Sequence, residues 1–302
     1  MKNERIKGLG TALITPFQAD GSVDYKALAR LLDTQLTGMV DYIVVLGTTG
    51  EAATMTEEEK REVRTFIRNY VAGRLPLVLG VGGNNTAAVC ESLKTIDLTG
   101  FEAILSVCPY YNKPNQEGLF QHFCAVAKAS PVPVILYNVP GRTGVNLLPE
   151  TVMRIYEAVP DKIVGIKEAS GNVEQIRDLI VKSRKTKERP TGSKPLSTLS
   201  DSGFLVISGD DGIACQIMEA GGAGLISVAS NAFPEDFWDI VHKKDQAKQA
   251  KYEQMVRLLF KEGNPVGIKA VLAQKGIIQN YLRLPLVPAS KELQEEIKKE
   301  LA

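Results

Sequence analysis

One lysine in this chain sits where elementary chemistry disfavours it, and hydroxyl groups recur at the ends of similar apolar runs. The stretch "IVGIKEAS", Ile163 to Ser170, leads into Lys167 through three apolar residues and a glycine. A cation in such a run has to be neutralised, paired or used. One reading is a lysine that snorkels to solvent or pairs with Glu168. The other is a Schiff-base lysine, because burial disfavours an ammonium ion and a free amine attacks carbonyl carbon. Forming and breaking that bond moves protons, so an acid/base group is required nearby. Tyr137, in "YNVPGRTG" at the end of the preceding run, is placed to serve. Thr48 and a second tyrosine are candidates to relay protons to bulk water.

Other groups offer weaker chemistry. "GTTGE", Gly47 to Glu51, combines two hydroxyls with a run of backbone N–H groups that suits a carboxylate, though Thr-Thr-Gly is also an ordinary turn. "PYYNKP" carries the tandem Tyr110 and Tyr111, and Arg142 lies in the segment after Tyr137. Asp210 and Asp211 in "SGDDG" could attract a cation, but an N-cap for the following helix is the plainer reading. The two histidines, His122 and His242, fall inside helical patterns with no ligand cluster around them, so the sequence predicts no metal site. The glycines of "GGAGLISV" suit a close backbone approach as well as they suit a phosphate loop. No Ser/His/Asp set emerges.

The elements that must position these residues are legible as runs rich in Val, Ile and Leu. They are "GTALITPF", "DYIVVLG", "LPLVLGVG", "FEAILSVCPY", "VPVILYNVP", "KIVGIKE", "FLVISGDD" and "AGLISVAS". Continuous hydrophobicity predicts parallel strands covered on both faces. Amphipathic helices fill the gaps, among them "TEEEKREVRTFIRNYVAG". There Thr56 and Glu59 predict a capping box, and Gly73 a left-handed end. Repeats spaced by roughly 25–35 residues fit a (β/α)8 barrel of about 250 residues better than an open doubly wound sheet. The catalytic groups of such a barrel sit at the C-terminal ends of its strands, where the candidates above fall. The strand pattern stops near Phe233, which divides the chain into a barrel over 1–232 and a helical domain over 233–302. Val181 to Gly203, basic and then rich in Pro, Ser, Thr and Gly, predicts a helix end and a loop, either a solvated insertion or a lid.

Composition excludes several classes of function. The chain has 302 residues, and its formal charge of +1 leaves no electrostatic footprint for nucleic acid or an acidic membrane. No apolar run approaches the roughly 20 residues of a membrane span, and "MKNERIKGLG" lacks a signal-peptide core. Cys90, Cys108, Cys124 and Cys215 lie in apolar contexts without metal-finger spacing, as reduced thiols of a soluble cytoplasmic protein do.

Taken in order, "GTTGEAAT", "PYYNKPNQEGLFQHF", "YNVPGRTG", "GIKEASGN", "SGDDG" and "GNPVGIKAVL" are specific. Over nearly its whole length the chain resembles the dihydrodipicolinate synthases, members of the pyruvate-dependent aldolase superfamily that includes N-acetylneuraminate lyase. The resemblance implies a (β/α)8 TIM barrel with a C-terminal helical domain, assembled as a homotetramer (a dimer of dimers) in the cytoplasm. It implies condensation of pyruvate with L-aspartate 4-semialdehyde, a step toward diaminopimelate and lysine. No cofactor or metal is implied; pyruvate is held covalently as a substrate. By motif, Lys167 is the Schiff-base lysine and Tyr137 the central acid/base, with Thr48 and Tyr111 completing a proton relay. Tyr111 is expected to come from a neighbouring subunit. Thr49 would hold the pyruvate carboxylate, Arg142 the carboxylate of the semialdehyde, and Gly209 and Ile226 would line the pocket through backbone groups. Arg142 favours the synthase over a lyase of sialic or 2-keto-3-deoxy sugar acids, whose substrate presents a polyol. A non-catalytic binding barrel is the alternative from another class, and the intact set of these side chains argues against it. The segment around Lys185 to Ser202 exceeds the family pattern.

Overall fold

The structure, a computed structural model, describes residues 2–185 and 203–302. Most of the loop expected between Val181 and Gly203 therefore lies outside the described residues, and with it the choice between lid and insertion. Strands form at all eight apolar runs: β1 Gly8–Ala12, β2 Tyr42–Val45, β3 Leu77–Gly80, β4 Ala103–Val107, β5 Val134–Asn138, β6 Ile163–Glu168, β7 Leu205–Ser208 and β8 Gly224–Ser227. They close in chain order into a barrel, which removes the open-sheet alternative. Burial along each strand is continuous rather than alternating, and every residue of β6 is buried, as strands covered on both faces require.

The chain packs as two compact units. One comprises Met1–Lys7 and Val78–Leu225. Within it, parallel pairing sets Tyr137 of β5 opposite Lys167 of β6, and Asn138 opposite Glu168. Side chains alternate along a strand, so Tyr137 and Lys167 share one face while Asn138 and Glu168 share the other. Gly165 allows β7 to come close, since a Cβ there would stand 2.4 Å from the Leu205 carbonyl oxygen.

The other unit comprises Gly8–Leu77 and Ile226–Ala302. Its helix Glu57–Val71 opens on the expected capping box: Thr56 Oγ1 accepts from the Glu59 N–H at 3.2 Å, and the Glu59 carboxylate accepts from the Thr56 N–H at 2.9 Å. The left-handed end begins one residue before the predicted glycine, at Ala72 (φ 49°), whose N–H closes on the Arg68 carbonyl. From Pro234 onward the described chain contains helices and no strand: Pro234–His242, Gln246–Lys251, Glu253–Lys261, Val266–Gln274 and Lys291–Leu301. Gly267 brings two of them together, because a Cβ there would lie 2.5 Å from the Leu259 carbonyl oxygen. Among the described residues no helix is long and apolar enough to cross a membrane.

Candidate active site

Lys167 lies in the last turn of pleat of β6 and is only 6% exposed. Its Nζ stands 4.5 Å from the centre of the Tyr137 ring, the neighbour that strand register dictates. Among the described residues no hydrogen bond or ion pair engages this nitrogen. The expected alternative, pairing with Glu168, fails because the pleat turns that carboxylate to the opposite face. There it accepts from the Ser170 N–H and from the amides of Asn138 and Gln175. Gly209, just beyond β7, keeps space open beside the lysine: a Cβ there would come within 2.9 Å of Lys167 Cε and 2.6 Å of Ala169 Cβ. The Gly209 N–H donates to the Glu168 carbonyl at 2.8 Å, which holds this approach in place.

Lys167, Tyr137 and Gly209 are thus brought together. Arg142 sits on a short helical turn, Pro140–Thr143, that follows β5, and its side chain is exposed. Tyr110 and Tyr111 follow β4 in a turn pinned by Asn84, whose amide donates to the Tyr110 carbonyl at 3.1 Å while its own carbonyl accepts from Asn112 at 2.8 Å. Tyr111 has φ 74° and is 89% exposed, so its phenol is directed outward from its own chain.

In the other unit, Thr48 and Thr49 form a tight turn after β2. Thr48 is exposed; Thr49 is buried and its Oγ1 accepts from Asn264 Nδ2 at 2.9 Å. Ile226 is a fully buried residue of β8. Sequence reasoning missed what anchors the Thr48–Thr49 turn. Glu51 takes a left-handed conformation (φ 54°) and carries its carboxylate into the interior, where it pairs with Lys269 of helix Val266–Gln274. Lys269 also donates to the Tyr281 carbonyl at 3.0 Å and lies 4.2 Å from the centre of the Phe17 ring. Burial pushes its pKa down to about 8, while Glu51 works in the opposite direction. Arg283 completes the cluster: its backbone N–H donates to Glu51 at 3.2 Å and its guanidinium clamps Glu59, whose pKa these hydrogen bonds draw down to about 2. The available signal was a lone cation in the apolar stretch "NPVGIKAVL".

The remaining candidates have structural work. Asp210 caps the turn Asp211–Ile213, accepting from the Gly212 N–H at 2.8 Å. His242 pairs with Asp41 at 2.7 Å, and His122 is buried in helix Gln116–Ala129. None of the four cysteines is in a disulfide among the described residues; three are buried and Cys90 is partly exposed. Among the described residues no group of three or more His, Cys, Asp or Glu is arranged to hold a metal ion.

Known proteins share this architecture and much of the sequence. The 4-hydroxy-tetrahydrodipicolinate synthase of Parabacteroides distasonis is 47% identical over an alignment covering 100% of this chain and 98% of its own. The chloride-inhibited dihydrodipicolinate synthase of Acinetobacter baumannii, solved in complex with pyruvate, superposes with a TM-score of 0.88 at 37% identity, covering 98% of each chain. A structure described as the first monomeric dihydrodipicolinate synthase variant gives a TM-score of 0.90 at 36% identity, covering 99% of this chain and 97% of that one. The family model described as the dihydrodipicolinate synthetase family matches residues 5–302. With the barrel, the strand-end lysine and near full-length similarity in agreement, the chain belongs to the dihydrodipicolinate synthetase family.

Proposed function

We propose that this enzyme condenses pyruvate with L-aspartate 4-semialdehyde, the 4-hydroxy-tetrahydrodipicolinate synthase reaction of diaminopimelate and lysine biosynthesis. The observation that carries the reading is Lys167: buried, beside a phenol, and engaged by no carboxylate among the described residues. Its amine adds to the C2 carbonyl of pyruvate, and loss of water gives the imine. Removal of a proton from the adjacent methyl carbon gives an enamine, which attacks the aldehyde carbon of the semialdehyde. Tyr137 is the acid/base for these transfers, and Thr48 and Tyr111 pass the proton onward. Thr49 and the backbone at Gly209 and Ile226 receive pyruvate; Arg142 takes the carboxylate of the second substrate as a bidentate partner. The imine nitrogen supplies the electron sink, so the reading requires neither metal nor organic cofactor. The exposed, left-handed Tyr111 supports a site shared between copies; the assembly and location that go with this reading are a dimer of dimers in the cytoplasm.

Borohydride with pyruvate should add one three-carbon unit to the protein, on the peptide carrying Lys167. A coupled assay with pyruvate and aspartate semialdehyde should show turnover, and a label on another lysine would reject the assignment. For the shared site, Tyr111→Phe and Tyr137→Phe are each expected to lose about 10²–10⁴-fold in rate. Mixed heterodimers should recover activity, because one of their two sites then holds both phenols. Heterodimers as inactive as the parents would show that Tyr111 serves its own chain.

A further inference from the structure

Glu168 adjoins Lys167 in sequence but faces away from it and is fully buried. An interior carboxylate persists only where its oxygens are hydrogen-bonded, and here both are. Oε1 accepts from the Ser170 N–H at 2.8 Å. Oε2 accepts from Asn138 Nδ2 at 2.9 Å and from Gln175 Nε2 at 3.0 Å. A carboxylate only accepts, so it dictates which way each of these two amides faces. Each amide then has a fixed set of atoms left for other partners.

Those partners belong to one loop. Asn138 Nδ2 also donates to Asn146 Oδ1 at 2.7 Å, and Asn138 Oδ1 accepts from the Leu147 N–H at 2.9 Å. Gln175 and Asn146 exchange a reciprocal pair, at 3.0 and 2.8 Å. Asn138 ends β5, and Asn146 lies just past the segment that carries Arg142. Both ends of residues 139–145 are therefore tied to one buried charge. Gln116 adds an outer tie, donating to the Asn146 carbonyl at 2.8 Å and accepting from the Leu148 N–H at 3.2 Å.

We propose that Glu168, Asn138, Asn146 and Gln175 are positioning residues that hold the 139–145 loop in the conformation presenting Arg142 to the carboxylate of the second substrate. The proposal rests on the reading of Arg142 given above. It separates the two half-reactions, because pyruvate capture by Lys167 does not use that loop. Gln175→Ala should raise the KM for aspartate semialdehyde about tenfold, the size of one charge-assisted hydrogen bond made poorly. The KM for pyruvate and the rate of borohydride trapping should stay within about twofold of wild type, since neither depends on the displaced guanidinium. Glu168→Gln, which turns an amide donor toward amide donors, should give the same split with a larger rise. Asn146→Ala repeats the measurement from the loop side should either of these variants fail to fold.

The double variant with Arg142→Ala is decisive. If the cluster acts through Arg142, adding Gln175→Ala to Arg142→Ala raises the semialdehyde KM no further. Multiplying effects, or equal loss toward both substrates, would overturn the proposal. An Arg142→Ala enzyme with an unchanged semialdehyde KM would instead overturn the reading of Arg142, and the proposal with it.

Discussion

The tetrapeptide Val-Gly-Ile-Lys occurs twice, as Val164–Lys167 and as Val266–Lys269. The first copy lies on strand β6, the second on helix Val266–Gln274. In both, the glycine permits a close backbone approach, the lysine is buried, and its side-chain nitrogen lies over an aromatic ring, at 4.5 Å from Tyr137 and 4.2 Å from Phe17. They differ in what holds the nitrogen. Lys269 has the Glu51 carboxylate against it; no carboxylate pairs with Lys167 among the described residues. Burial alone therefore does not make a lysine a nucleophile. A buried cation held by a buried anion is a structural tie, whereas one left beside a phenol and an open space has its nitrogen available.

A third buried base follows another route. His122 is 3% exposed, and burial pushes its pKa down to about 4. It shares a hydrogen bond with Thr86 at 2.9 Å through Nδ1. It meets burial by giving up its charge, where Lys269 is paired and Lys167 is proposed to be used.

The largest effect that would break this comparison is on turnover. Lys167→Ala should lower the rate on the order of 10⁴-fold or more, as expected for a lost covalent nucleophile. It should abolish borohydride labelling and leave the urea midpoint near wild type. An alanine variant that still captures pyruvate would erase the distinction between the two lysines.

Lys269→Met should do the reverse. It strands the Glu51 carboxylate in the interior and should cost about 3–5 kcal/mol of stability, read by urea unfolding. The folded fraction should still trap pyruvate on Lys167. Adding Glu51→Gln should recover much of the loss, since a neutral amide oxygen can still accept from the Arg283 N–H. A neutral Lys269→Met would show that the ion pair is no tie at all.

The smallest effect is a pH dependence belonging to His122. The unfolded chain takes up a proton near pH 6.5, and the folded one not until about 4. Stability should therefore fall as pH drops through that window, by about 3 kcal/mol in total for a shift of this size. His122→Phe should make the decline between pH 6.5 and 4 shallower, and an unchanged acid limb would show that His122 does not carry it.

Much of this was legible beforehand, and the reasons are local. A strand covered on both faces needs a continuous apolar run, so each of the eight strands announced itself within its own few residues. The capping box at Thr56 and Glu59 is likewise a contract between residues three apart. Lys167 stood out because a cation at the end of such a run is costly wherever the strand is placed. Lys269 did not, although the same three residues precede it, because its helical run has less defined punctuation and its anion is remote in the chain.

The sequence by itself determined which segments are buried, how each begins and ends, and which family motifs the chain carries, because these depend on side-chain period and backbone preference within a short window. The tertiary structure decided which buried charge meets which. Glu51 reaches Lys269, and Glu168 turns away from the lysine beside it to hold Asn138 and Gln175. Pairing is a matter of distance in space, and residues far apart in a chain, or adjacent on opposite faces of a strand, acquire that distance only when the elements pack.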